Sequence, residues 1–253
     1  MRSSSADRLD GQRNEIQHER QPLKVGGVLA VAGGLGYFVL LLLHGDLPDE
    51  TVTVALEHIA GRPEWSALKL ALIGTVLLWV GAFVALAFSL SRGPGWLPAW
   101  LAVPCIAIGA TLVLVEYSIL GYGMKHVADS WSVASGAEKE ARALVAEAML
   151  GVTGGLFLNF IAWLIGLPFV LMGLAVSLSR SFPRWLGWIA IAAGGGALLA
   201  GTTRFLGWEL ISLPVIYGGF VVPLSLWLAG IGVLMWRRAL YGDSETRAAL
   251  EGR

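Results

Sequence analysis

Residues 97–123 read LPAWLAVPCIAIGATLVLVEYSILGYG, and Glu116 is the only charged residue among them. A helix rises about 1.5 Å per residue, so this stretch is long enough to cross a hydrocarbon core of roughly 30 Å. The stretch therefore predicts a membrane-spanning helix. The one carboxyl inside it is the first candidate for a functional group.

Five other apolar stretches have a similar length, so the sequence predicts an all-α polytopic bundle of six transmembrane helices in one domain. The composition agrees, with 56 % hydrophobic and 14 % charged residues, against about 25 % charged residues in soluble domains. A β-barrel would show alternating patterns of about 10 residues, which are absent. Pro168 lies inside the fourth and longest stretch, where we expect a kink or a protruding end. The six predicted spans lie near 25–43, 67–90, 97–123, 145–178, 185–207 and 212–236.

Several classes of function find no support in the composition or the motifs. The formal net charge is zero, so we expect no nucleic-acid partner. The single cysteine, Cys105, can form neither an internal disulfide nor a C-x-x-C motif. The chain has no P-loop and no G-x-S-x-G, the motifs of nucleotide hydrolysis and of many serine hydrolases. We therefore predict no cofactor.

The basic residues predict that both termini are cytoplasmic, because short cytoplasmic loops are enriched in Lys and Arg. Residues 1–23 then form a mobile polar tail, 24–238 the membrane domain and 239–253 a second cytoplasmic tail. The first tail is too long and too acidic for a secretory signal. The predicted cytoplasmic cations are Arg2, Arg8, Arg13, Arg20, Lys24, Arg92, Arg180, Arg184, Arg237, Arg238, Arg247 and Arg253.

The predicted outer loops, 44–66 and 124–144, are longer than the inner loops at 91–96 and 180–184. Within or beside them, the stretches 51–60 and 138–148 could each form a short interfacial helix. Any site beyond helix packing is therefore expected on the outer side.

A weak internal repeat relates two parts of the chain. LAFSLSR at 86–92 resembles LAVSLSR at 174–180, an offset of 88 residues. A real duplication would make helices 2–3 and 4–5 parallel copies of one hairpin, and it would align Glu116 with Arg204 at the same depth. Convergence of apolar helices joined by short basic turns would also explain the likeness.

Glycines indicate which helix faces pack closely, because small residues let helix backbones approach each other in a membrane. We interpret these glycines as packing positions rather than as a functional site. They lie on helices 1, 4 and 5 as Gly33, Gly34 and Gly36, then Gly151, Gly154 and Gly155, then Gly194, Gly195, Gly196 and Gly201.

Ionisable residues gather at the predicted outer helix ends, whereas the middle of the spans is neutral. This pattern disfavours a proton-coupled transporter, which usually carries carboxylates or histidines near the midplane. In one interpretation the outer charges pair at the interface, with Glu116 in a structural ion pair with Arg204 or Lys69. In the other they line a polar cup that opens outward, where Glu116, Glu147 and Arg204 are the candidate catalytic residues.

In the second interpretation Glu116 acts as an acid, because a carboxyl held protonated in an apolar stretch can donate a proton. Aromatic faces, including that of Trp131, would stabilise a cationic intermediate on an isoprenoid, quinone or other lipophilic substrate. Asn159 would bind such a substrate or, alternatively, bond across to a neighbouring helix. The candidate substrate-binding residues are Tyr117, Tyr122, Asn159, Trp208 and Glu209.

Three histidines on the predicted outer side, His44, His58 and His126, are weak candidates for metal ligands. Histidine and carboxylate ligands suit zinc, copper or iron. No pair has a ligand spacing such as H-x-x-x-H on one helix, so we predict no metal site.

The segments FVLMGLA at 169–175 and SFPRWLGWIAIAAG at 181–194 resemble a large bacterial family of small multi-span proteins, common in actinobacteria and catalogued as a domain of unknown function. The resemblance covers residues 25–207, and its Pro-Arg-Trp-Leu-Gly turn is an architectural motif. It implies a fold and a bacterial inner membrane, and it transfers no catalytic residues. By architecture alone, the chain also resembles small membrane-embedded terpene cyclases.

The leading hypothesis is a plasma-membrane protein that binds or converts a lipophilic, isoprenoid-like small molecule by acid–base chemistry at Glu116. One alternative is a small-molecule transporter or permease-like carrier. Another is a non-catalytic accessory subunit that binds another membrane protein, or a second copy, through its glycine faces.

Overall fold

The computed structural model describes the backbone of residues 5–45 and 51–251 and the side chains of residues 21–45 and 51–240. These residues form helices and contain no strand, which confirms the predicted all-α class. The helices are α1 (Ser5–His44), α2 (Val52–Ala60), α3 (Trp65–Ser89), α4 (Trp96–Ser118), α5 (Met124–Val133), α6 (Gly136–Phe160), α7 (Leu167–Leu178), α8 (Arg184–Phe205), α9 (Leu213–Ile216) and α10 (Val222–Glu251). Three π-helical segments join neighbouring helices, at Ile119–Gly123, Ile161–Gly166 and Tyr217–Val221.

Six helical stretches in the described part are long and apolar enough to cross a membrane, as predicted. The protein is therefore an integral membrane protein. The third stretch extends beyond its predicted bounds because the π-helical segment Ile119–Gly123 continues the helix into α5, and the fourth does so because α6 already begins at Gly136. The spans are Gln21–His44, Trp65–Ser89, Trp96–Val133, Gly136–Leu178, Arg184–Phe205 and Leu213–Leu240.

Of the two short helices predicted in or beside the outer loops, the one over 51–60 is present as α2, and its interfacial location stays a prediction. Its N-terminus is capped by Thr51, whose hydroxyl oxygen accepts the N–H of Val54 at 3.3 Å. The second prediction, a separate helix over 138–148, is wrong. Those residues belong to α6, which starts at Gly136 and runs on to Phe160, because the Ala- and Glu-rich sequence offers no breaker.

The expected kink at Pro168 takes a specific form. Residues 161–166 are π-helical, and Pro168 lies in the first turn of α7, directly after them. Proline lacks an N–H and clashes with the carbonyl four residues before it. A widened π-turn relieves that clash while the chain remains helical.

The spanning helices form a ring in which α1 lies between α10 and α3, α4 lies between α3 and α7, and α8 packs on α7. Aromatic side chains fill the centre. Phe169 contacts the rings of Trp79, Phe83 and Trp227, with ring centroids 5.0 to 5.7 Å apart.

The glycine prediction is confirmed on some faces and wrong on another. A Cβ atom on Gly33 would lie 2.8 Å from the Trp79 ring, and one on Gly194 would lie 2.9 Å from the Gly166 carbonyl oxygen. These positions require glycine because backbones or rings approach so closely. Nothing in the described residues lies within 4 Å of a Cβ built on four of the other predicted packing glycines, which are Gly151, Gly154, Gly155 and Gly195.

One end of the bundle is covered by α2, α5 and the first turns of α6. We call this cover the cap, and the end beneath it the capped end. The cap has its own apolar core, separate from that of the spans, built from Leu56, Ile59, Trp65, Met124, Ala128, Trp131 and Ala146. Trp131, predicted to offer a substrate-facing ring, is buried in this core.

The opposite end is formed by the short turns at 90–95 and 179–183, and we call it the basic end. That the basic end is cytoplasmic stays a prediction from the distribution of Lys and Arg. The backbone of both predicted tails is helical where it is described, since α1 begins at Ser5 and α10 ends at Glu251. The prediction that these tails are mobile falls on termini and side chains outside the described part of the chain.

Candidate functional site

Glu116 lies near the end of α4, beneath the cap, and only 3 % of its surface is exposed. One carboxyl oxygen, Oε2, is buried and has no hydrogen-bond partner among the described residues. A buried polar atom without a partner is destabilising by about 1–3 kcal/mol, and more when the group is charged. This oxygen is therefore the clearest sign of an incomplete site in the bundle.

Lys69 supplies the positive charge that acts on this carboxyl, and its side chain is equally buried, with 3 % of its surface exposed. It comes from the second turn of α3. Its Nζ lies 2.5 Å from Nε2 of His44. It also lies 4.8 Å from the ring centroid of Trp65 and 4.6 Å from that of Tyr117. Cation–π contacts of this kind stabilise a desolvated ammonium.

The hydrogen bonds of His44 indicate its tautomer. Nδ1 lies 2.5 Å from the carbonyl oxygen of Gly45, so this nitrogen carries the proton and donates it. Nε2 is then free to accept a hydrogen bond from the Lys69 ammonium. The end of α1 is anchored further by Arg62, whose Nη1 donates to the His44 carbonyl oxygen at 2.7 Å.

Two tyrosine hydroxyls extend the cluster into the bundle. The hydroxyls of Tyr37 and Tyr117 lie 3.4 Å apart, and both side chains are buried. Both groups are close enough to Glu116 to interact with it electrostatically. Tyr37 packs on Trp79 with ring centroids 4.9 Å apart, and the buried Nε1 of Trp79 has no described hydrogen-bond partner. We call these side chains the buried polar cluster: Tyr37, His44, Lys69, Glu116 and Tyr117.

The π-helical segment Ile119–Gly123 positions the cluster. A π-turn breaks the usual bonding pattern and leaves carbonyls available to other donors. Trp65 Nε1 donates to the Leu120 carbonyl oxygen at 2.8 Å, and the Ser66 hydroxyl donates to the Gly121 carbonyl oxygen at 2.6 Å. These bonds fix the start of α3, and with it Lys69, against the end of α4.

The cap contributes a second unpaired nitrogen above the cluster. Nε2 of His58 is buried without a described hydrogen-bond partner, and its ring stands edge-on to Trp65 with centroids 6.2 Å apart. Burial, and then the positive charge of Arg62, lower the pKa of His58 below its ordinary value of 6.5.

The structure places the other two candidate catalytic residues away from this cluster. Glu147 is exposed on α6. Arg204 forms an ion pair with Glu209, with Nη2 and Oε1 3.3 Å apart, and donates to the Ile211 carbonyl oxygen at 3.4 Å. The charge that acts on Glu116 comes from Lys69, one of the two partners considered from the sequence.

The candidate substrate-binding residues are similarly divided. Tyr117 belongs to the buried polar cluster, whereas Tyr122 is 79 % exposed and Trp208 and Glu209 are also exposed. The expected bond from Asn159 to a neighbouring helix is wrong. Its Nδ2 donates to the Gly155 carbonyl oxygen in its own helix at 3.0 Å, because a side chain can reach the carbonyl four residues before it.

The three histidines considered as metal ligands do not form a cluster with carboxylates. Within the described residues no group of three or more His, Cys, Asp or Glu side chains could hold a metal ion. The rings of His44 and His58 both contact Trp65, with centroids 5.2 and 6.2 Å from its own, and His126 is exposed.

The sequence predicted Lys69 as one of two possible partners of Glu116, but it did not predict that Tyr37 and His44 lie in the same cluster. Lys69 carried a signal, since it is the only charged residue within the apolar stretch 67–90. No such signal was present in the sequence for Tyr37 or for the Trp79 nitrogen, because aromatic residues in a spanning helix more often pack as apolar side chains.

An open surface groove lies beside the same region. It has a volume of about 450 Å³ and runs between the π-helical segment and α6, lined by Ile119, Val145, Ala148, Met149 and Val152. Its lining is apolar, and Ile119 follows Glu116 by three residues, about one helical turn.

Comparisons with family models, curated proteins and solved structures find no match to this chain. The resemblance based on residues 169–194 therefore stays a prediction.

Proposed function

We propose that this integral membrane protein binds a lipophilic small molecule beneath the cap, and that Glu116 exchanges a proton with it. The observation that carries the proposal is the unpartnered, buried Oε2 of Glu116. A ligand hydroxyl or carbonyl would provide the missing partner, either accepting a proton from the carboxyl or donating one to it.

A purely structural ion pair explains this arrangement less well. Buried ion pairs repay their desolvation only when their remaining polar atoms are also hydrogen-bonded. Here Lys69 directs its described contacts to an imidazole nitrogen and two aromatic rings, while Glu116 keeps an unpaired oxygen. A buried polar atom without a partner needs an explanation, and a bound ligand provides one.

The surroundings indicate the chemical class of the ligand. Tyr37 and Tyr117 offer hydroxyls, and Trp65 and Phe160 offer apolar faces; the Phe160 centroid is 6.3 Å from that of Tyr117. Such a site suits one small polar group on a largely apolar body, as in an isoprenoid alcohol or a quinone. Access from the bilayer is supported by the apolar groove beside Ile119.

The test uses the full chain in phosphatidylcholine nanodiscs, with geranylgeraniol and a short-chain naphthoquinone as probes. Binding is read from the shift in thermal unfolding and from quenching of tryptophan fluorescence by the quinone. We expect Glu116→Gln to weaken binding of at least one probe about tenfold or more, the effect of losing a hydrogen bond to a buried charged group. Glu147→Gln, which removes an exposed carboxyl from α6, is the matched control and should bind like the wild type.

Proton exchange is tested separately by infrared difference spectra recorded on addition of the probe that binds. The wild type and Glu147→Gln should show a change in a protonated carboxyl band that Glu116→Gln lacks. If neither probe binds the wild type, or if Glu116→Gln binds both as tightly, a ligand site of this class at Glu116 is wrong. Flux of a probe across sealed vesicles that survives Glu116→Gln would point instead to a carrier.

A further inference from the structure

Among the residues whose side chains are described, the charges at the basic end have one sign; the acidic residues of both tails lie outside that part of the chain. Every charged side chain described there is basic, whereas acidic and basic side chains are mixed at the capped end. These residues lie at or next to the ends of the membrane spans, which is the level of lipid headgroups. They are Lys24, Arg92, Arg180, Arg184, Arg237 and Arg238.

The turn between α7 and α8 lies where three parts of the basic end meet. Gly95, in the turn before α4, closely approaches the backbone of Ala175 near the end of α7. From the other side, Arg238 of α10 donates to the Ser181 carbonyl oxygen at 3.2 Å. The turn is therefore held in place by elements from both halves of the chain.

The turn also has a well-defined internal structure. The Ser179 hydroxyl donates to the Val176 carbonyl oxygen at 3.0 Å and accepts the N–H of Ser181 at 3.3 Å. Phe182 is buried, with the Arg238 guanidinium 5.3 Å from its ring centroid. Anchored in this way, the turn leaves the side chains of Arg180 and Arg184 exposed, four residues apart.

Two further features suit a phosphate at this turn. Helix α8 begins at Arg184 with no side-chain cap, so the positive end of its dipole faces the turn. Trp185 and Trp188 are 60 % and 62 % exposed in the first turns of α8. Exposed tryptophans at a span end are typical of the boundary between headgroups and acyl chains.

We propose that the α7–α8 turn binds the phosphodiester headgroup of an anionic phospholipid in the leaflet at the basic end. Arg180 and Arg184 donate hydrogen bonds to the phosphate oxygens, since guanidinium groups match phosphate geometry. Arg238 acts as a positioning residue through the Ser181 carbonyl. Trp185 and Trp188 pack against the glycerol and upper acyl carbons. This site is independent of the function proposed for Glu116.

The test is native mass spectrometry of the full chain in detergent, titrated with phosphatidylglycerol or with phosphatidylcholine of identical acyl chains. The wild type should bind phosphatidylglycerol preferentially. Each basic side chain near an anionic surface contributes about a fivefold change in affinity, so Arg180→Gln with Arg184→Gln should weaken phosphatidylglycerol binding about 25-fold. Phosphatidylcholine binding should change little.

The matched control removes the same charge from the capped end, as Lys139→Gln with Arg142→Gln, and should keep the preference. If the glutamine pair fails to fold, Arg180→Lys with Arg184→Lys replaces it, and its preference should persist but weaken. The proposal would be overturned if the control pair lost as much affinity for phosphatidylglycerol as the glutamine pair. It would also be overturned if the glutamine pair kept the wild-type preference for phosphatidylglycerol, or if the lysine pair kept it undiminished. Displacement of the lipid by millimolar inorganic phosphate would overturn it as well, because the site would then take free phosphate.

Discussion

The stability of the buried polar cluster depends on two single side chains, Lys69 and Glu116. Each comes from a different spanning helix, each is 3 % exposed, and each would be destabilising alone in an apolar environment. Together with His44 and the two tyrosines they form a polar group enclosed by aromatic rings. The coupling between them should therefore be measurable as a free energy.

A double-mutant cycle measures that coupling. Lys69→Met removes the cation and leaves Glu116 buried without a compensating charge, and an uncompensated buried charge is destabilising by about 3 kcal/mol or more. Adding Glu116→Gln to Lys69→Met should restore part of the loss, because no uncompensated carboxylate then remains. The measurement is chemical or thermal unfolding in one detergent. Additive effects of the two substitutions would show that the groups do not interact.

His58 predicts a dependence of cap stability on pH. Its pKa is below 6.5 in the folded protein because of burial and Arg62, so the unfolded state binds the proton more readily. Stability therefore falls as pH drops below about 6.5, and the fall ends once pH passes below the folded pKa. Arg62 is the charged group that acts on this ring, and His44 is another titratable group near it.

The check is limited proteolysis or hydrogen exchange of α2 between about pH 7 and about pH 5. Protection of α2 in the wild type should decrease toward the lower pH, and His58→Gln should reduce that change. The same loss of protection in His58→Gln would assign the pH dependence to another group.

Among the elements, the π-helical segments have the largest effect on the site. Ile119–Gly123 offers carbonyls to Trp65 and Ser66 that an uninterrupted α-helix would keep for its own bonds. Ile161–Gly166 accommodates Pro168 inside the longest span. Helix length and apolarity could be predicted from the sequence. The π-turns could not, because they arise from competition between local bonding and contacts with other helices.

Two adjacent glycines of α8, Gly194 and Gly195, allow a test of how closely α8 packs on α7. Gly194→Ala would place a methyl group 2.9 Å from the Gly166 carbonyl oxygen, and overpacking of this kind costs about 1–3 kcal/mol. Gly195→Ala meets nothing described within 4 Å and should be neutral or slightly stabilising, since alanine favours a helix by up to about 1 kcal/mol. Unfolding of both variants in the same detergent is the measurement, and equal effects would contradict the packing of α8 on α7.

At the scale of the whole molecule, the two ends differ in both shape and charge. The capped end carries α2, α5 and mixed charges over the buried polar cluster, and the basic end consists of short turns with exposed arginines and tryptophans. If the positive-inside rule holds, the buried polar cluster lies nearer the outer surface.

Cysteine labelling of intact cells tests that orientation. In a Cys105→Ser background, Thr53→Cys places an exposed thiol on the cap and Ser91→Cys places one at the basic end. A membrane-impermeant maleimide should label only the first, and both should react after the cells are opened. Labelling of Ser91→Cys alone in intact cells would reverse the predicted orientation.

The number and approximate bounds of the spans were predictable from the sequence, because the bilayer imposes a minimum apolar length that can be counted residue by residue. That Glu116 lies within a spanning helix was also predictable, because it is the only charged residue of an apolar stretch. Of its neighbours, Lys69 was one of the two partners predicted from the sequence, whereas Tyr37 and His44 were not predicted. Glu147 and Arg204 have comparable positions along their helices, but Glu147 is exposed and Arg204 pairs with Glu209.

Only the tertiary structure decided which groups surround Glu116. The rotation of each helix depends on close contacts such as that of Gly33 with Trp79, and on π-turns that change the direction of later side chains. Hydrophobic length contains no information about that rotation. The membrane-spanning character thus follows from local sequence, whereas the buried polar cluster follows from how α1, α3 and α4 pack together.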